Sequence, residues 1–216
     1  MEKLEHLSEK INRYVSLSIF GLLSVLFGII GDTISFLMFP GYNITRNPVS
    51  ELCEGSGGLF FQLGTTLSGI FAFFFLIYLG NIFNTKEVGD RTQKLALRSA
   101  IISCTFFIIL GIFCGSNIII AYIHGTSAVL SWIFGFSYIT LYNILIIRDS
   151  RFSKYLGYFG FITSFIIALL ITLFLLHLIP LFRVILIILP TLEWINTLAV
   201  IVWYLAIPIY MIKKKM

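Results

Sequence analysis

Six stretches of apolar residues, at about 15–39, 58–83, 99–121, 126–147, 155–179 and 184–211, leave this chain few folds to choose from. At 1.5 Å of rise per residue, each reaches across a hydrocarbon layer about 30 Å thick. Inside lipid every backbone N–H and C=O must find its partner within the protein, which only helices and closed barrels achieve. None of the runs alternates with the period of two that a barrel strand shows, so each reads as a helix. The composition, 58% hydrophobic against 12% charged, excludes an ordinary soluble domain. The predicted fold is all-α: a polytopic membrane protein with one six-transmembrane-helix bundle over residues 15–211, a head at 1–14 and a basic tail at 212–216.

The net charge of +5 does not point to nucleic acid, because the cations are spread over short loops. They do orient the bundle. If the N-terminus is cytoplasmic, thirteen of the fifteen Lys and Arg fall on the cytoplasmic side, and only Arg46 and Arg183 fall outside. The positive-inside rule then puts both termini in the cytoplasm and the loop between the first two helices on the outer face of the cell membrane. The first apolar run is too long for a signal-peptide core and reads as a retained helix.

The polar residues that lipid should reject share one height. Asp32 stands nineteen residues beyond Arg13, or about 28 Å up a helix. Gly28 and Gly31 beside it admit a neighbouring helix, which turns the carboxyl toward the bundle. The island Asn47 to Gly58 follows at the outer face, with Asn47 and Pro48 as a helix start and Glu51 in its first turn. Asn117 sits about 28 Å above Arg98, and His124 falls in a short turn at residues 122–126. Helix five ends at His177 before Pro180. The last run is too long for one crossing, so Pro190 divides it into a short interfacial piece, Leu181 to Leu189, and a sixth span over 191–211. Glu193 then lies about 30 Å from Lys213, at the outer boundary again.

These residues define an outward-facing polar pocket. Its ligand-binding candidates are Arg46, Asn47, Glu51, Glu54, Asn117, His124, His177, Arg183 and Glu193. Acid–base candidates are Asp32, Glu51, His124 and Glu193, and Asp32, His124 and Glu193 form a weak metal set. Neither H-E-x-x-H nor a paired-cysteine motif is present, and no motif implies a cofactor. Two function classes follow. The first binds or handles a lipid head group or a cation, with membrane lipids as partners. The second is a membrane-embedded hydrolase or transferase using Asp, Glu and His at the outer leaflet. Of the three cysteines, the odd count favours buried inert thiols, with a Cys53–Cys114 bridge as the alternative. Asn43-Ile44-Thr45 matches a glycosylation acceptor.

Three blocks carry a resemblance: Asn47-Pro48-Val49-Ser50-Glu51-Leu52 before a glycine-rich helix entry; Gly111-Ile112-Phe113 leading to His124-Gly125-Thr126-Ser127-Ala128 and Phe134; and Glu193-Trp194 with Trp203. In this order the chain resembles the prokaryotic six-pass family termed domain of unknown function 998 and, more distantly, the DRAM/Sfk-type membrane proteins. Where that family often has a proline and an acid after Gly-Ile-Phe, this chain has Cys114-Gly115-Ser116-Asn117. The resemblance implies a six-helix bundle with relatives linked to lipid handling, and assigns no catalytic residue.

Overall fold

The computed structural model describes residues 2–83, 85–115 and 117–216, with side chains from residue 17 onward. The expected charges at Lys3, Lys10 and Arg13, and Ser116 in the second block, lie outside the described side chains. The chain forms α1 (Glu2–Leu37), a 3₁₀ segment (Val49–Glu54), α2 (Gly58–Ile82), a single turn (Thr85–Val88), α3 (Asp90–Ile112) and α4 (Ile118–Arg148). It continues through α5 (Lys154–His177), a second 3₁₀ segment (Pro180–Ile187) and α6 (Leu189–Lys214). Six of these helices, counting α1 from Leu17, are long and apolar enough to cross a membrane.

Each helix packs on the next, and α6 returns to α1, so the six close into a ring. With lipid outside, close packing and buried hydrogen bonds hold such a ring more than a hydrophobic drive does. The α1–α2 seam shows how sequence permits it. A Cβ on Gly31 would sit 2.7 Å from the Cα of Gly64, so these two backbones touch where both side chains are absent. At the other seam of α2, a Cβ on Gly111 would lie 2.8 Å from the backbone nitrogen of Thr66.

The two halves of the ring are filled differently. Toward the end that carries most of the described cations, large side chains plug the centre. Trp203, Tyr142 and Phe75 are each almost fully buried there. Tyr142 donates to the Leu76 carbonyl at 2.8 Å, and Trp203 Nε1 donates to Asn143 Oδ1 at 3.0 Å. Loops at this end are stapled by the buried Asp149 carboxylate, which takes a two-pronged contact from Arg151 at 2.9 and 2.6 Å. Toward the other end the inward positions are small, including Ser24, Gly28, Ser68, Ala72, Ser103 and Gly135, and the same ring encloses a cavity.

Several boundaries differ from the sequence expectation. Helix α1 runs unbroken from Glu2, through the residues read as the head. Helix α3 ends at Ile112, not near residue 121, and the break falls at Phe113–Asn117. Gly115 there adopts φ +157°, and the Asn117 side chain accepts from Ile119 N at 2.9 Å, capping α4. His124 therefore lies inside α4. Pro190 does divide the last run, with the 3₁₀ segment on one side and α6 on the other.

Candidate functional site

The cavity has a volume of about 550 Å³ and takes lining residues from all six helices. Its walls are stripes at helical spacing. Val25, Gly28 and Asp32 come from α1; His124, Ala128, Ser131, Gly135 and Tyr138 come from α4; Glu193, Asn196, Val200 and Tyr204 come from α6. The ionisable members of these stripes, Asp32, His124 and Glu193, lie at the same end. At the far end the paired hydroxyls of Tyr138 and Tyr204, 3.0 Å apart, form a floor.

Residues 38–57, between α1 and α2, make a roof. Its 3₁₀ turn brings Ser50 N to Glu193 Oε1 at 3.3 Å, so the carboxylate that lines the cavity also holds the roof. Trp194 next to it donates from Nε1 to Tyr42 Oη at 3.1 Å, and Tyr42 donates to the Pro48 carbonyl at 2.6 Å. Burial pushes the Tyr42 phenol upward from its ordinary range; the Trp194 hydrogen bond opposes this, and the carboxylates Glu193, Glu51 and Asp32 add to the rise. On the opposite wall the roof is tied covalently, since Cys53 and Cys114 form a disulfide with their Cα atoms 5.8 Å apart. The expectation of three inert thiols is thereby corrected: Cys104 alone is free and buried. The turn at Phe113–Asn117, displaced from its expected place, is what brings Cys114 under the roof.

Five of the sequence candidates line the cavity: Asp32, Arg46, His124, His177 and Glu193. The others do not. Asn47 donates to Glu51 Oε2 at 3.0 Å and the pair stiffens the roof from within. Glu54 is exposed, Asn117 is a helix cap, and Arg183 sits exposed on the second 3₁₀ segment. Among the described residues no three His, Cys, Asp or Glu side chains converge closely enough to hold a metal ion. Asp32, His124 and Glu193 therefore share a cavity without forming a metal-ligand set.

The hydrogen-bond balance of the cavity is uneven. His124 Nδ1 lies 3.0 Å from the carbonyls of both Leu110 and Phe113, which can only accept. In the neutral ring the proton is thus on Nδ1, and Nε2 is left as a lone pair. That Nε2 is buried with no partner, as are His177 Nδ1 and Asn196 Oδ1. Asn196 is only 7% exposed. Asp32 has no hydrogen bond or ion pair among the described residues and shares the cavity with the Glu193 carboxyl. Beside the hydroxyls and the Arg46 guanidinium that also line it, the site thus holds buried ring-nitrogen and amide-oxygen atoms without partners.

Asn196 was missed by the sequence reading, although it stands one turn after Glu193 on the same face of α6. The cavity floor was missed too, because Tyr138 and Tyr204 read as ordinary aromatic packing. No family model matches this chain, and no curated protein or solved structure is similar to it.

Proposed function

We propose that the cavity binds an amphipathic ligand whose head is a hydrogen-bond-donating cation, a lipid amine being the leading class. The observation that carries this is a set of acceptors around one void: the Asp32 and Glu193 carboxyls beside the buried, partnerless His124 Nε2 and Asn196 Oδ1. Buried acceptors left unpaired are costly, and an ammonium brings three donors and a positive charge to offset two carboxylates. The lower walls, from Ala72, Ile139 and Ile167 to the tyrosine floor, suit the apolar portion.

The cavity faces the outer leaflet in this reading. Two independent features support it: the concentration of Lys and Arg at the opposite end, and a disulfide at the roof, which persists in an oxidising compartment. The resemblance to six-pass proteins linked to lipid handling points the same way. The test is thermal stabilisation of purified protein by n-decylammonium, with decanol and decyl sulfate as controls. Decylammonium raises the melting temperature, the controls do not, and Asp32→Asn combined with Glu193→Gln abolishes the effect. Equal stabilisation by all three amphiphiles would remove the reading.

A further inference from the structure

Arg46 borders two spaces. On one side it lines the central cavity; on the other it heads a groove of about 530 Å³ on the outside of the ring, along the α5–α6 seam. Thr45 and Thr191 stand beside it at the groove's polar end, and Leu169, Leu173, Leu192 and Ile195 form its bed. A bilayer-facing trough with one cation and two hydroxyls at its head has the polarity of a phospholipid: anionic phosphate above, acyl chain below. The Arg46 guanidinium has no side-chain partner among the described residues, and its residue is exposed. Neither acid of the cavity is paired with it. Glu193 is engaged by Ser50 N inside the cavity, and Asp32 faces the same void.

We propose that the protein binds a phospholipid carrying a primary ammonium, held across both spaces with Arg46 at the junction. The acyl chains lie in the α5–α6 groove, the phosphodiester rests on Arg46 with Thr45 and Thr191, and the ammonium reaches inward to the acceptors around Asp32 and Glu193. This rests on the cavity reading above and deepens it by naming the phosphate and the route. The seam is a natural entrance, since a lipid from the surrounding leaflet meets the groove before the cavity. The ammonium end sets the selectivity. A glycerol head brings no positive charge to the two carboxylates, and a trimethylated amine brings charge but no N–H donors for Asn196 and His124.

The experiment uses native mass spectrometry of the full chain with equal concentrations of palmitoyl-oleoyl phosphatidylethanolamine, phosphatidylglycerol and phosphatidylcholine, and separately with n-decylammonium. Wild-type protein retains the ethanolamine lipid about tenfold over the other two, a difference within reach of one charge-assisted contact. Arg46→Gln, at an exposed position, reduces ethanolamine-lipid retention about tenfold. Leu173→Trp, which fills the groove and lies outside the cavity lining, reduces lipid retention likewise and leaves decylammonium binding unchanged. Equal retention of the three phospholipids, or wild-type retention by Arg46→Gln, overturns the proposal while decylammonium binding persists. Failure of wild type to bind decylammonium instead removes the cavity reading on which it rests.

Discussion

The backbone N–H of Ser50 donates to the Glu193 carboxylate at 3.3 Å, joining residues 143 apart in sequence. The roof is therefore latched by a group that also faces the ligand space. An acceptor is all the latch requires, whereas a charge is what a cationic ligand requires, and substitution separates the two. Glu193→Gln keeps the latch through its amide oxygen and weakens decylammonium binding. Glu193→Ala loses both. Hydrogen exchange at Ser50 is expected to accelerate about fivefold in the alanine variant, in line with one hydrogen bond worth about 1 kcal/mol, and to stay near wild type in the glutamine variant.

The opposite wall of the roof depends on sulfur. Because Cys104 is buried and the other two cysteines are joined, native protein should resist maleimide labelling until a reductant is added. Reduction should then expose two sites. Replacing Cys53 and Cys114 together by serine opens a loop closed over 61 residues and is expected to lower stability by about 2–4 kcal/mol. Full maleimide reactivity without reductant would contradict the bridge.

Alkaline titration offers a readout at Tyr42. Its phenol is shifted upward relative to the unfolded chain, so the neutral form favours the folded state. This contribution is present below the ordinary phenol range near pH 10 and is lost as pH rises through the higher folded value. In the difference spectrum between wild type and Tyr42→Phe, the Tyr42 phenolate should emerge only above the range of exposed tyrosines. Emergence with the exposed phenols would show that the roof is open.

The glycine contacts predict opposite outcomes for the same substitution. Gly31→Ala drives a methyl against the Gly64 Cα and should cost about 2 kcal/mol, through separation of α1 from α2. Gly125→Ala lies inside α4 with nothing within 4 Å of the added carbon, and should be neutral or stabilising by up to about 1 kcal/mol. Unfolding in a graded detergent series gives both values.

At the plugged end, Asp149 is almost completely buried and bound by Arg151, whose guanidinium is held charged above its ordinary range chiefly by that hydrogen bond. Asp149→Asn leaves a cation facing a neutral amide and is expected to cost about 1–2 kcal/mol, less than for a fully buried pair because the Arg151 side chain is half-exposed. The same assay checks it, and a change below about 0.5 kcal/mol would mean the pair is solvated.

The number of helices, the division at Pro190 and the shared height of the acids were legible because length, proline chemistry and charge speak directly through sequence. The break between α3 and α4 was not. It depends on Asn117 as a cap and on a turn around Gly115, signals that an apolar run on either side conceals. That displacement carried His124 from a loop to a helix and Cys114 to within reach of Cys53. Asp32, His124 and Glu193 could be placed at one level by counting residues, but Asn196 became visible only once α6 had an inward face. The floor required pairing Tyr138 with Tyr204 from different helices, which no one-dimensional pattern encodes.

The ring closes only when α6 reaches α1. Without α6 the other five helices make a gutter, with the Asp32 carboxyl and the His124 and His177 imidazoles along its open side. A chain stopped before Leu189 therefore displays the polar groups that membrane surveillance recognises, and it should be degraded faster than the complete chain in a pulse-chase measurement.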